Sequence, residues 1–227
     1  MSKAFFITGT DTEVGKTVVS AALLHAANAR GLTTMALKPV AAGCGQTPDG
    51  LRNSDAVMLQ EVMNTELAYE QVNPVALEAA IAPHVAAQQA GYRMTIDRLA
   101  GYCRGTLMKR VDFTVVEGAG GWRVPVNHRE TLADLPKALS LPVVMVVGIR
   151  LGCLNHALLT AEAIIRDGLS LAGWVANHIA PTMSAAEESV ATLERWLPAP
   201  CLGYIPFLHK PQAIDIQTDL DIGKLLV

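Results

Sequence analysis

Residues Gly9 to Thr17 read G-T-D-T-E-V-G-K-T directly after the apolar run Ala4-Phe5-Phe6-Ile7. A strand that empties into such a loop and continues as a helix is an α/β unit whose helix N-terminus is aimed at an anion. Gly15 lets backbone approach phosphate, Lys16 reaches β- and γ-phosphate oxygens, and Thr17 supplies a hydroxyl for Mg²⁺. Val18 to Ala29 is apolar, alanine-rich and free of proline, so a helix is predicted from Lys16 onward. The loop departs from G-x-x-x-x-G-K-[ST] in one respect: Thr10 stands five residues before Gly15, and the nearest glycine, Gly9, stands six before. It is either one residue longer than that pattern or of a variant subclass. The segment predicts a nucleoside triphosphate site in either case.

With 227 residues the chain is long enough for one α/β domain, and no serine-, proline- or glycine-rich linker divides it, so residues 1–227 are read as a single domain. A net charge of -3 gives no global reason to hold a polyanion, and neither nucleic acid nor an acidic membrane surface is an expected partner. The first strand follows Met1-Ser2-Lys3 without a signal-like segment, and no uncharged apolar stretch reaches the ~18 residues of a membrane span. A cytoplasmic protein is expected. Cys44, Cys103, Cys153 and Cys201 are widely spaced, without C-x-x-C or nearby histidines at ligand spacing, and read as reduced thiols.

Six short β-branched or apolar runs recur: Ala4 to Thr8, Thr33 to Lys38, Phe113 to Glu117, Val143 to Gly148, Leu171 to Asn177 and Cys201 to Pro206. Helices are predicted over Lys16 to Arg30, Ser54 to Met63, Ile96 to Arg110, Leu132 to Leu139, Asn155 to Asp167 and Ser184 to Trp196. This alternation predicts a mainly parallel central sheet with helices on both faces, a phosphate-loop α/β fold. In such a sheet, ligands bind outside the carboxyl ends of the strands. Polar residues that close apolar runs therefore share a crevice with the loop.

Lys38 closes the second run before Pro39 and would stabilise charge developing on a γ-phosphate. Glu117 closes the third, before Gly118-Ala119-Gly120-Gly121, and is placed as a Mg²⁺ carboxylate. Asp55 opens a helix after Arg52-Asn53-Ser54, where it serves either as a first-turn acid or, with Thr17 and Glu117, as a hard oxygen ligand. Asn177 closes the fifth run with an amide suited to an adenine edge. Gly152-Cys153-Leu154-Asn155-His156 opens a helix whose backbone donors could hold a carboxylate. Cys153 and His156 lack a third group that would make them a nucleophile and base.

Taken with Leu37-Lys38-Pro39-Val40, Leu51 to Asp55, Val116 to Trp122, Leu151 to His156 and Ala172 to Asn177, the loop resembles that of the ATP-dependent dethiobiotin synthetases. The resemblance runs from Phe6 to Pro206. It implies that 7,8-diaminopelargonate, CO₂ and MgATP give dethiobiotin, ADP and phosphate through a carbamate. It also implies nucleotide contacts at Glu13, Val14, Gly15, Lys16, Thr17, Val18, Asp55, Glu117, Gly118, Ala119 and Gly120 around the phosphates, with Asn177, His178, Pro206, Phe207 and Leu208 bordering adenine. Mg²⁺ would be held by Thr17, Asp55 and Glu117. Catalytic roles fall to Lys16, Lys38 and Thr12. Thr12, Lys38 and the loop containing Ala42 would face the diamine, and Gly152, Cys153, Leu154 and Asn155 of a second subunit would take its carboxylate, so a homodimer is implied. Ala42 stands where the family commonly has serine. The competing reading is a nucleotide-driven switch of the partitioning type, which has a second lysine where this chain has Asp11.

Overall fold

The computed structural model describes residues 2–207 and 220–226. In chain order the elements are β1 (Lys3–Gly9), α1 (Lys16–Asn28), β2 (Thr34–Leu37), β3 (Val40–Ala41), β4 (Gly45–Thr47), β5 (Gly50–Arg52), α2 (Ser54–Val62), α3 (Tyr69–Val72), β6 (Val75–Ala76), α4 (Pro83–Gln89), α5 (Ile96–Leu107), β7 (Phe113–Glu117), α6 (Asp134–Leu139), β8 (Val143–Ile149), α7 (Cys153–Arg166), β9 (Leu171–His178), α8 (Ala186–Trp196) and β10 (Cys201–Ile205), before a last helical turn at Gly223–Leu226.

Six strands pair in the order β10-β9-β8-β1-β7-β2, and every pairing is parallel. Parallel strands are covered on both faces, which is why β7 and β8 are apolar nearly throughout rather than alternating. From β1 the chain moves one way to reach β2, then steps back through β7, β8, β9 and β10. Because such crossovers are right-handed, this reversal places α1 on one face and α7 and α8 on the other. The reversal also makes the carboxyl end of β1, between β7 and β8, the switch point of the sheet.

All six predicted strands and all six predicted helices form, with ends displaced by up to three residues. Two displacements touch the site. β2 stops at Leu37, so Lys38 is the first residue beyond it, and α7 begins at Cys153 rather than Asn155. Helix α1 is buried almost all round between the sheet and α2, which accounts for its run of alanines and leucines.

The sequence reading had no place for β3, β4, β5, β6, α3 and α4. The pairs β3–β6 and β4–β5 make two small sheets, the second closed by a turn in which Gly50 has φ 100°. Strands of two or three residues carry no readable alternation.

Candidate active site

The glycine loop bends through two left-handed residues, Glu13 at φ 58° and Gly15 at φ 84°. A left-handed glutamate costs of order 1 kcal/mol. A Cβ at Gly15 would collide with the amide of Asn177, which donates from Nδ2 to Val14 O at 2.8 Å. The end of β9 is thereby braced against the loop. Asp11 takes two partners outside the phosphate path: Oδ1 accepts from Thr12 N at 2.8 Å, and Oδ2 lies 2.5 Å from Arg150. The residue that would be a second lysine in a partitioning switch is thus half of an ion pair.

Lys16 points along its own loop, with Nζ 3.3 Å from Asp11 O. Burial lowers its pKa, more than the nearby Glu117 carboxylate raises it. Its ammonium lacks a full set of acceptors, which an incoming phosphate would supply.

Lys38 is nearly buried, and Nζ donates to Glu117 Oε1 at 2.6 Å and to Asp55 Oδ2 at 2.8 Å. Burial opposes its charge, but Glu117 and then Asp55 outweigh burial and raise its pKa. Burial likewise pushes Asp55 up, and Lys38 more than offsets it, so the carboxyl stands below its ordinary value. Asp55 does not cap α2. Asn53 does so, accepting from Asp55 N and Ala56 N, and this frees the Asp55 carboxylate to face Lys38.

Glu117 is completely buried. Its Oε1 also accepts from Thr17 Oγ1 at 2.8 Å, while Oε2 has no hydrogen-bond partner. A buried carboxylate oxygen without a donor is costly unless a cation arrives to meet it. Among the described residues no cluster of three or more His, Cys, Asp or Glu side chains exists. The groups that could hold a cation here are the Asp55 and Glu117 carboxylates and the Thr17 hydroxyl, all hard oxygens of the kind Mg²⁺ takes when water and phosphate oxygens complete its shell.

Lys16, Thr17, Lys38 and Asp55 open on a cleft of about 830 Å³, and Glu117 lies buried behind them, outside its lining. Of the expected site residues the cleft is lined by Thr12, Glu13, Gly15, Lys16, Thr17, Val18, Lys38, Ala42, Asp55, Ala119 and Gly120. Val14 is buried behind the loop, and Gly118 packs on Phe6 with its N–H on Ile7 O at 2.9 Å. Asn177, His178, Pro206 and Phe207 do not line the cleft. They gather at the carboxyl ends of β9 and β10, where the Tyr204 hydroxyl lies 3.1 Å from His178 Nδ1. Leu208 lies outside the described residues. Gly152 and Asn155 are exposed at the start of α7, also away from the cleft, and the thiol of Cys153 is buried there.

The sequence reading missed two parts of the cleft. One is the wall Ala80-Ile81-Ala82-Pro83 facing Arg123-Val124-Pro125. The other is the support behind Lys38. Its N–H donates to Val72 O at 2.7 Å, its carbonyl accepts from Asn73 Nδ2 at 2.7 Å, and Asn73 Oδ1 accepts from the Tyr69 hydroxyl. The same hydroxyl accepts from Asn53 N at 2.7 Å. One tyrosine thus ties the Lys38 strand end to the cap that orients Asp55. The Asn73-Pro74 dipeptide was the signal for a tight turn here.

A parallel sheet whose first strand feeds a lysine-bearing glycine loop, with a carboxylate closing the neighbouring β7 and a second lysine just past β2, defines a phosphate-loop nucleotide-binding protein. A family model described as "AAA domain" matches residues 3–214. The ATP-dependent dethiobiotin synthetase BioD of Cellvibrio japonicus is 60% identical over 99% of this chain and 98% of its own length. The enzymes of the same name from Pseudomonas paraeruginosa and Aeromonas salmonicida are 58% and 50% identical, over 98% and 100% of this chain and 97% and 100% of their own. The chain belongs to the ATP-dependent dethiobiotin synthetase family. A ParA family ATPase from Chlorobium tepidum superposes with a TM-score of 0.58 over 100% of both chains at 11% identity. The septum site-determining protein MinD from Pyrococcus horikoshii, solved with Mg-ADP, gives 0.56 at 16% identity, over 91% of this chain and 82% of its own. Those two likenesses concern the fold alone. No helix of the described residues is long and apolar enough to cross a membrane.

Proposed function

We propose that this protein carries out the ATP- and Mg²⁺-dependent ring closure of 7,8-diaminopelargonate with CO₂ to dethiobiotin, ADP and phosphate. The observation that carries the reading is the meeting of Lys16, Thr17, Lys38 and Asp55 at one end of a single cleft, with Glu117 buried behind them and bonded to Lys38 and Thr17. One substrate amine adds to CO₂ and loses a proton, giving a carbamate. A carbamate oxygen attacks the γ-phosphorus and ADP leaves, forming a carbamic-phosphoric anhydride. The second amine then attacks the carbonyl carbon, the C–O bond to phosphate breaks, and the ureido ring closes.

Carbamate and γ-phosphate are both anions, and their approach needs fixed positive charge. Lys16 would hold the β/γ oxygens, and Lys38, pinned by two carboxylates, would face the oxygen that transfers. Thr17, Asp55 and Glu117 would hold Mg²⁺, which when bound neutralises phosphate charge. Thr12, Ala42 and the Ala80–Pro83 wall would border the diamine, whose aliphatic chain suits carbon-lined surface. Asn177, His178, Pro206 and Phe207, with Leu208, would border adenine, on the β9–β10 side of β1 and away from the Lys38 cluster.

The expected carboxylate site at Gly152–Asn155 stands apart from the cleft of its own chain, in keeping with a homodimer in which a partner supplies it. Leu151, 94% exposed beside that segment, and Leu159 on α7 are apolar surface of the kind such an interface covers. Four free thiols accord with a cytoplasmic enzyme. The test supplies purified protein with MgATP, bicarbonate and diaminopelargonate and looks for dethiobiotin by mass. ATP hydrolysis without dethiobiotin would overturn the reading.

A further inference from the structure

The far wall of the cleft follows β7 and begins with Gly118-Ala119-Gly120-Gly121, four residues with almost no side chain. Such a segment cannot hold its own position and keeps high backbone entropy unless it is tied at its ends. One end is tied by Gly118 N to Ile7 O. Further along, Leu132 N donates to Val124 O at 2.7 Å. Between them the ties are side chains, and both go to one acceptor. Trp122 Nε1 donates to Asp167 Oδ2 at 2.9 Å, and the Arg123 guanidinium reaches both Asp167 oxygens, at 2.8 Å and 2.7 Å.

Asp167 caps the C-terminus of α7, and its side chain is only 11% exposed. A planar guanidinium met by both carboxylate oxygens fixes orientation as well as distance, which a lysine would not. Trp122 is itself buried, edge-on to Phe6 of β1 at 6.2 Å. The restrained wall touches the reacting side of the cleft: a Cβ at Gly120 would stand 2.9 Å from Val124 Cγ2 and 3.5 Å from Thr12 Oγ1.

We propose that Asp167 is a positioning residue for the diamine, setting the width of the cleft by holding Trp122 and Arg123 and through them the Val124–Pro125 wall. The inference rests on the function proposed above. The phosphate contacts expected at Gly118–Gly120 start from Gly118, which is tied separately to Ile7 O, whereas Trp122 and Arg123 lie beyond them next to Val124 and Pro125, so loss of the tie acts on the diamine more than on ATP.

The test is steady-state dethiobiotin formation by wild type, Asp167→Ala, Asp167→Asn, Arg123→Ala and the Asp167→Ala/Arg123→Ala double variant, with each substrate varied in turn. Asp167→Ala is expected to raise KM for diaminopelargonate about tenfold, with kcat and KM for ATP within about twofold of wild type. Asp167→Asn keeps an acceptor for the indole N–H and is expected to recover part of the loss. If Asp167 acts through Arg123, the double variant is no worse than the weaker single. An unchanged KM for the diamine, an equal rise for both substrates, a fall in kcat, or additive losses would overturn the proposal. A wild type that makes no dethiobiotin would instead overturn the function on which it rests.

Discussion

Lys38 Nζ lies 2.6 Å from Glu117 Oε1, and the other oxygen of the same buried carboxylate has no partner. The lysine is therefore held by half of a buried carboxylate whose second oxygen is left without a donor. A charge fixed in this way needs no reorganisation when the transferring oxygen arrives.

Replacing Lys38 by alanine removes that charge and leaves Glu117 buried with Thr17 as its one remaining donor. We expect Lys38→Ala to abolish dethiobiotin formation while ATP binding, carried by the loop, stays measurable by calorimetry. Breaking a buried pair costs about 3–5 kcal/mol, so the variant should also unfold at lower denaturant. Turnover near the wild-type rate would remove Lys38 from the mechanism.

The unpartnered Oε2 leads to an expectation for Glu117→Gln. The amide keeps the shape but loses the charge, and charge-assisted contacts are worth about 1.5–3 kcal/mol. The Mg²⁺ concentration at half-maximal rate should rise by about tenfold or more, and chelation by EDTA should arrest the wild type altogether. A magnesium titration superimposable on wild type would mean that the orphaned oxygen has another purpose.

Asp55 gives a pH dependence. Burial raises its pKa and Lys38 lowers it further, so the folded value lies below the ordinary 3.8. The folded state then binds this proton less readily than the unfolded chain. The resulting stabilisation is present above pH ~4 and fades as pH falls through the lower folded value. Thermal melts between pH 6 and pH 3 should show a shallower acid slope for Asp55→Asn than for wild type. Parallel slopes would show that the Lys38 pair does not set the carboxyl's affinity for protons.

The sheet and the charged end of the cleft were legible because both leave strong local marks. Phe113–Glu117 is an uninterrupted apolar run closed by an acid, and β7 has those bounds. The Gly15-Lys16-Thr17 helix start needs no tertiary information either. What could not be read was support at a distance. Tyr69 opens and Asn73 caps a four-residue helix with no periodicity of its own, and their value comes from Lys38 and Asn53, more than fifteen residues away. Asp167 is similar: a charged residue at a helix end reads as solvent-facing until Trp122 and Arg123 are found on it. Asp55 was read as either a first-turn acid or a ligand; it does sit in the first turn of α2, with Asn53 as the cap and its carboxylate on Lys38.

Asn73 tests that distant support. Its amide is buried, donates to Lys38 O and accepts from Tyr69. Asn73→Ala leaves the Lys38 carbonyl and the tyrosine hydroxyl each short of a partner, at about 1–3 kcal/mol for a buried polar group. Stability should fall by that amount, and kcat should fall more than KM for ATP, because Lys38 shifts while the loop does not. A stability loss with unaltered kcat would make the Tyr69–Asn73 pair a matter of folding only.

Ala42 lines the cleft beside Asn53, whose Nδ2 is 3.4 Å from the Ala42 carbonyl. The backbone there is already held, so a hydroxyl added at the side chain would enter a formed surface. The family resemblance implies a serine at this position, and this chain has only a methyl group there. A single hydrogen bond is worth about 1 kcal/mol net, which corresponds to about a fivefold change in affinity. Ala42→Ser should therefore lower KM for diaminopelargonate by up to that factor, with KM for ATP unchanged. If KM for the diamine stays the same or rises, the hydroxyl finds water rather than substrate, and the diamine passes the 42 position without touching it.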